Sequence, residues 1–358
     1  MNVKQNLHPA PPRILSRRLL LSAALFVRFY YRRADVAGAA ASRKPTLFLV
    51  SHRSGAVDGL VCTRALGGTP SLVSVQLLRH PLLRLLCDGI PVLREKDRER
   101  YGAGSGSFPP PVAAAVAQIR SGGSLCLYPE GTSEWRHRPQ PYHSGMGVIA
   151  AKLKAAGADF AVQPVGLFYS RPDGFCSRVS IVLGEAFEPQ ADGVKGLQAE
   201  LAAALDAVSV CCATPAAFNT AQNAAWQAVQ YGADYGTAFL AAQRQGSAAE
   251  AAGAAPPAPA RQWAKALFAI GFPVVAAAAL AAGSRADGRN TVALWRLAGG
   301  SAGMVFQAAC YLVLLFWQPS AACVLLAAGT AGRLFYPEPA PVPLDESETD
   351  GSAAQKAA

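Results

Sequence analysis

The sequence predicts an α/β fold with an interfacial helix before it and transmembrane helices after it, and three observations lead there. Between residues 45 and 190, short apolar or β-branched runs alternate with stretches of helical character, the pattern of helices packed on a mostly buried sheet. Ahead of that region, residues 13–33 form an apolar stretch broken by Arg17, Arg18 and Arg28. Behind it, from residue 262 onward, come long runs with almost no charge. Composition agrees. The 358-residue chain is 51% hydrophobic yet carries a formal net charge of +10, which suits a membrane surface, because basic side chains are drawn to anionic headgroups and anionic ligands.

Taken in order, "RILSRRLLLSAALFVRFYYRR" (13–33) lacks both the uninterrupted apolar centre and the small-residue cleavage site of a secretory signal. Its internal arginines also argue against a span, which needs about twenty apolar residues. It predicts an amphipathic helix lying in the bilayer interface, with arginines snorkelling and Phe29, Tyr30 and Tyr31 at headgroup level. Residues 1–44 are therefore read as a membrane-associated segment. Strands are expected at 46–50, 71–75, 124–128, 160–168 and 178–184, each bounded by turn residues. Helices are expected at 80–88, 110–120 and 147–157, and over the Ala-rich 194–245, where Trp226 and Tyr231 are expected to pack. This makes 45–245 an α/β domain with a helical extension.

The Ala/Pro-rich 246–261 reads as a linker. Of the three apolar runs that follow, 298–317 is uncharged and long enough to span. The run 266–283 is marginal, because alanine contributes little to insertion. The run 319–332 is short unless it continues to Phe335 or is re-entrant. Residues 262–336 thus carry two spans or three. Arg285, Arg289 and Arg296 on one side and Arg261 and Lys265 on the other leave the orientation open. The acidic 337–358 reads as disordered.

Several function classes are set aside. Basic residues are interspersed with acids, and no helix-turn-helix, RNA-recognition or zinc-finger signature appears, which argues against nucleic acid. The eight cysteines (Cys62, Cys87, Cys126, Cys176, Cys211, Cys212, Cys310 and Cys323) form no C-x-x-C pair and read as small buried hydrophobes of a reducing compartment. The five histidines lack metal-ligand spacing, so no metal is expected.

Chemistry is concentrated in three short stretches. In "LVSHRSGAVDG" (49–59) an apolar strand ends on His52, with Asp58 six residues on. Such positions diverge by about 240° on a helix, so the two meet only if a turn intervenes, as the glycines permit. A carboxylate accepting from one ring nitrogen fixes the tautomer and leaves the other free to take a proton, the histidine–acid half of a triad without a nucleophilic serine. In "LCLYPEGTSEW" (125–135) a strand delivers Glu130 to the sheet edge, followed by Gly131, which admits close backbone approach, and Thr132, which offers a hydroxyl. In "GIPVLREKDRER" (89–100) a short strand leads to Arg94, while Lys96 to Arg100 read as a solvated charged helix start. Taken singly, a strand-end histidine is also compatible with a packed residue, and P-E-G with an ordinary turn.

In this order, and followed by "VQPVGL" (162–167), these stretches resemble the four blocks of the glycerolipid acyltransferase (PlsC-type, 1-acylglycerol-3-phosphate acyltransferase-like) family, over roughly residues 45–190. The resemblance implies His52 as general base and Asp58 as its orienting acid. It implies Arg94, Glu130, Gly131 and Thr132 as acceptor-binding residues, usually through a phosphate, and Pro164 as the mark of the fourth block. Two positions depart from the family pattern. Five residues rather than four separate His52 from Asp58, a difference that a turn at Gly55 can absorb. Ser133 and Glu134 follow E-G-T where the family often has arginine; Arg136, His137 or Arg138 are the substitutes at hand. The acceptor is therefore open between a lysophosphatidic acid and another lyso-lipid, such as a lyso-aminolipid.

The expectation is a membrane-bound O-acyltransferase at the cytoplasmic face of the cytoplasmic membrane. It would use acyl-CoA or acyl carrier protein as donor, a membrane lipid as acceptor, and no cofactor. A lipid hydrolase and a non-catalytic membrane-anchored lipid-binding protein are the alternatives. "GGSAG" (299–303) matches the G-x-S-x-G pattern of hydrolase nucleophiles, but it opens an apolar run. There, glycines four apart favour close helix packing in lipid.

Overall fold

The computed structural model describes residues 11–75, 88–92, 109–246 and 262–344. The expected helix at 80–88 (save Asp88), Arg94 with Lys96 to Arg100, the linker from residue 247 and the tail from residue 345 lie outside the described residues.

Helix α1 (Arg17–Tyr30) begins at an N-cap, Ser16, whose side chain accepts from the Leu19 N–H. Leu19, Ala23, Val27 and Tyr30 recur at helical spacing and are buried, while Arg17, Arg18, Leu21, Leu25 and Arg28 face outward. This two-faced helix differs from the expectation in one respect. Tyr30 and Tyr31 are 4% and 1% exposed, locked in the core against one another and against Phe175 and Tyr169, so they do not stand at a headgroup level.

The central sheet has the order β1-β7-β6-β2-β5, built from β1 (Arg33–Gly38), β2 (Thr46–Val50), β5 (Leu125–Leu127), β6 (Ala161–Tyr169) and β7 (Arg178–Leu183). All neighbours run parallel except β6 and β7. Every residue of β2 and β6 is buried, as central strands covered on both faces must be. A parallel pair, β3 (Leu72–Ser74) and β4 (Ile90–Val92), continues the sheet beyond β5 through a bridge from Ser71 to Cys126. The expected strands are all present. The strand β1 was not anticipated; it pairs in full with β7, so the sheet reaches into the segment read as membrane-associated. Pro164 sits inside β6 opposite Leu49.

Helices cover both faces. On one, α1 and α2 (Ala56–Ala65) share a core with Val165, Leu167 and Ile181. On the other, α3 (Pro111–Arg120), α4 (Gly145–Ala155) and α5 (Gly193–Asp206) pack on Leu47, Leu49 and Leu125. The region read as one helical stretch, 194–245, is three helices: α5, α6 (Pro215–Gln230) and α7 (Tyr235–Gln245). Tyr231, expected to pack, is 92% exposed at the turn after α6. Residues 337–344, expected to be disordered, are ordered. Leu344 is 3% exposed in the α6–α7 core, Glu338 pairs with Arg178, and Asn219 and Gln222 bond the backbone of Leu344 and Val342. A single apolar anchor and side-chain partners for its backbone hold this Pro-rich stretch in place.

Four helices close the described chain: α8 (Gln262–Gly271), α9 (Pro273–Gly283), α10 (Arg289–Trp317) and α11 (Pro319–Leu334). By length and composition α10 is the one described helix able to cross a membrane; α8 and α9 qualify only together, and they are bent by 105°. The run 266–283, read as one marginal span, is thus broken at Pro273. The α10 side chains satisfy the freed backbone groups: Gln307 accepts from the Val274 N–H at 2.9 Å, and the Tyr311 hydroxyl donates to the Gly271 carbonyl. Such re-satisfaction is what a helix break among apolar surroundings requires. The glycines of "GGSAG" serve packing, as expected: a Cβ on Gly299 would lie 2.4 Å from the Ala278 carbonyl, and Ser301 bonds back to Leu297.

Candidate active site

Strand β2 ends at Val50, and the chain turns through residues 51–55 into α2. Gly55 supplies the left-handed backbone (φ +56) at the helix start. Asp58 lies in the first turn of α2, and the turn brings His52 back to it, with Nδ1 2.8 Å from Asp58 Oδ2. The same oxygen accepts from the backbone N–H groups of Arg53 (2.7 Å) and Ser54 (2.8 Å). The other oxygen accepts from the Tyr169 hydroxyl at 2.6 Å. Asp58 is fully buried, and these four donors compensate for its burial. His52 keeps 17% of its side chain exposed, against the ring of Tyr128 at a centroid distance of 4.7 Å.

Glu130 is turned inward and is 4% exposed. Its two oxygens accept from the His52 N–H at 2.8 Å and the Gln140 N–H at 3.0 Å, so it ties the histidine turn to the 130–140 loop. Burial raises its carboxyl above the ordinary range, opposed by those N–H groups and by Arg53. Arg53 is 3% exposed, donates to the Arg136 carbonyl at 2.8 Å, and stacks on Trp135 at 4.5 Å. Burial lowers its pKa, while the Glu130 and Asp58 carboxylates counter the shift.

A cavity of about 430 Å³ opens against this corner. His52, Gly55 and Ala56, then Gly131, Thr132 and Ser133, line it with Leu15 just before α1, Leu19 of α1, Leu60 of α2, Leu72 and Val73 of β3, and Leu294 of α10. Its lining is mainly apolar. Among the described residues no Lys or Arg lines it, and the carboxylate of Asp88 pairs with Arg13 at 2.8 Å.

The structure therefore brings His52, Asp58, Glu130, Gly131 and Thr132 together. Gly131 and Thr132 face the cavity, whereas Glu130 does not, because backbone donors hold both its oxygens. Arg94 lies outside the described residues. The three substitutes for the missing arginine do not reach the cavity. Arg136 pairs with Glu134 at 2.7 Å, His137 is buried with its pKa lowered by desolvation, and Arg138 points outward. Sequence reasoning missed Tyr169, Arg53 and Asn290. Tyr169 had one usable signal, a polar tip ending an apolar strand, just as His52 follows the neighbouring parallel strand. Asn290, at the start of α10, donates to the Ser133 carbonyl and its own carbonyl accepts from Ser54; no local signal marks it.

No family model matches the chain, and no curated protein matches it. Among solved structures, the crystal structure of the 1-acyl-sn-glycerophosphate (LPA) acyltransferase PlsC from Thermotoga maritima is similar at a TM-score of 0.40 and 13% identity, over 53% of this chain and 76% of that one. So distant a likeness decides nothing about chemistry, which has to be argued from the site.

Proposed function

We propose that the protein is a membrane-bound acyltransferase that moves a fatty acyl group from acyl-CoA or acyl carrier protein to the hydroxyl of a lyso-lipid at the cytoplasmic face. One observation carries the reading: an imidazole held by a fully buried carboxylate forms part of the wall of an apolar cavity. With Nδ1–H donated to Asp58, Nε2 is the basic nitrogen. It takes the acceptor's hydroxyl proton as the oxygen attacks the thioester carbonyl. The tetrahedral intermediate then expels the thiolate, which recovers the proton from the imidazolium, leaving ester and free thiol. The acyl chain lies along the Leu15, Leu19, Leu60 and Leu72 wall. Tyr169 and the Arg53 and Ser54 N–H groups hold Asp58 so that it can hold the ring.

The test supplies membranes containing the protein with labelled acyl-CoA or acyl carrier protein and a panel of lyso-lipids. Transfer to one acceptor, reduced about 10²–10⁴-fold in His52→Ala, is the expected result. Acyl chains released to water instead would make the protein a hydrolase. Binding without turnover, equal in both proteins, would make it a lipid-binding scaffold.

A further inference from the structure

A second cavity of about 700 Å³ shares no lining residue with the first, and its size is that of a small-molecule site, roughly 300–1,000 Å³. Its walls come from the end of α1, the β6–β7 loop, α8, α9, α10 and residues 336–339. Phe29, Phe175 and Phe268 stack in its lining at centroid distances of 5.2 to 6.3 Å.

Two polar groups meet in this wall. The Tyr30 hydroxyl, on a residue 4% exposed, lies against the Arg296 guanidinium, which also donates to the Asp173 carbonyl, yet neither that hydroxyl nor Arg296 Nε completes a well-formed hydrogen bond. Buried donors are rarely left unpaired. The carboxylates that line the cavity do not neutralise Arg296. Asp173 lies 3.2 Å from Arg171 and 3.8 Å from Arg289, and Glu338 pairs with Arg178. With Arg171 held by Asp173 and Glu338 by Arg178, Arg296 and Lys265 leave an excess of positive charge among the aromatic rings. Leu280 and Met304 line the cavity and are also 63% and 47% exposed, so it opens onto the apolar outer surface of α9 and α10.

We propose that this cavity binds an anionic lipid, its head on Arg296 and Lys265 with the Tyr30 hydroxyl donating, its chain along Phe29, Phe175 and Phe268. The carboxylate of a free fatty acid and the phosphate of an anionic phospholipid present the same chemistry to these groups. The inference does not depend on the role given to His52.

The experiment uses the full chain in phosphatidylcholine nanodiscs, photolabelled with a diazirine-bearing palmitic acid or its neutral methyl ester, with labelled peptides mapped. The acid should label the stretches around Phe175 and residues 262–304 about tenfold or more above the ester. Arg296→Gln should remove that preference, and Ala276→Phe, which fills the space, should remove the label, each checked for an unchanged thermal transition. Should Arg296→Gln fail to fold, Ala276→Phe decides. His52→Ala should label as wild type does. Displacement by phosphatidylglycerol in the disc identifies a bilayer lipid as the source, and displacement by excess palmitate alone identifies a free fatty acid. Equal labelling by acid and ester, labelling that survives Ala276→Phe, displacement by neither competitor, or label confined to the 52–74 stretch would overturn the proposal.

Discussion

Asp58 meets four donors with two oxygens, so its carboxylate organises the turn as well as the imidazole. Tyr169→Phe removes one donor and should cost about 1–2 kcal/mol of stability in urea unfolding, with acyl transfer falling about tenfold. Asp58→Asn is expected to do more, since an amide presents N–H where a donor already stands and the ring loses its fixed tautomer; transfer should fall about 10²–10⁴-fold. If both variants transferred like wild type, Asp58 would be structural only. Glu130 belongs to pH. Burial raises its folded-state pKa above the ordinary 4.5, so the native state binds the proton more tightly than the unfolded chain. Stability contributed by the protonated form is then lost as pH rises from about 4.5 through the raised value. As pH rises from about 4.5, unfolding free energies should fall more steeply in wild type than in Glu130→Gln; parallel curves would place the titration elsewhere. Most of this site was legible: His52, Asp58, Glu130, Gly131 and Thr132 are local to strand ends. Arg53 was missed beside His52, because an arginine in a turn reads as solvated; Asn290 meets the site from 157 residues away with no local signal, and Tyr169, 111 residues away, had only its polar tip at a strand end.

Among the elements, strands whose runs are buried on both faces were legible, since β2 and β6 need no partner to explain their composition. The edge strand β1, "RADVAG", has one buried neighbour to pair with, and that neighbour lies some 145 residues along the chain; half-exposed and short, it carries no signal of its own. The bend between α8 and α9 had its signal in Pro273, but the apolar run hid it. The C-terminal helices pack backbone to backbone: a Cβ on Gly332 would lie 2.2 Å from the Phe268 nitrogen, and one on Gly271 2.2 Å from the Gly329 Cα. Gly332→Ala should therefore push α11 off α8 and lower the thermal midpoint, at a cost of about 1–3 kcal/mol. Gly196→Ala, inside α5 where the new methyl meets only the Ala191 Cβ at 3.4 Å, should instead stabilise by about 0.5–1 kcal/mol. Equal effects from the two would mean that the α8–α11 contact is loose.

At the scale of the molecule, the C-terminal helices are docked onto the α/β domain. Arg333 donates to the Phe29 and Tyr31 carbonyls, Arg32 reaches Leu334 and Tyr336, and Asn290 holds the loop beside the candidate site. What they leave uncovered is apolar: Val305, Phe306, Leu312, Val313, Phe316 and Trp317 of α10 are 63–87% exposed, together with Val324 of α11 and Leu21 and Leu25 of α1. A patch of that extent is stable only against lipid or another protein. The cysteines report which, without any being introduced. Contrary to the sequence expectation of uniform burial, Cys211, Cys310 and Cys323 are exposed, while Cys62, Cys126, Cys176 and Cys212 are buried. Cys310 and Cys323 stand on α10 and α11; Cys211 stands on the α/β side, between α5 and α6. In native membranes at about pH 8, chosen because burial raises the Cys211 thiol and the thiolate is the reactive form, a charged maleimide should label Cys211. It should leave Cys310 and Cys323 unlabelled until detergent-denatured. If all three react alike in native membranes, the apolar face of α10 and α11 is not in lipid, and another protein surface covers it only where labelling is blocked after lipid extraction. Comparing sealed right-side-out with inside-out vesicles then fixes the side: labelling of Cys211 in inside-out vesicles alone puts His52 and its cavity on the cytoplasmic face, where acyl-CoA and acyl carrier protein are available.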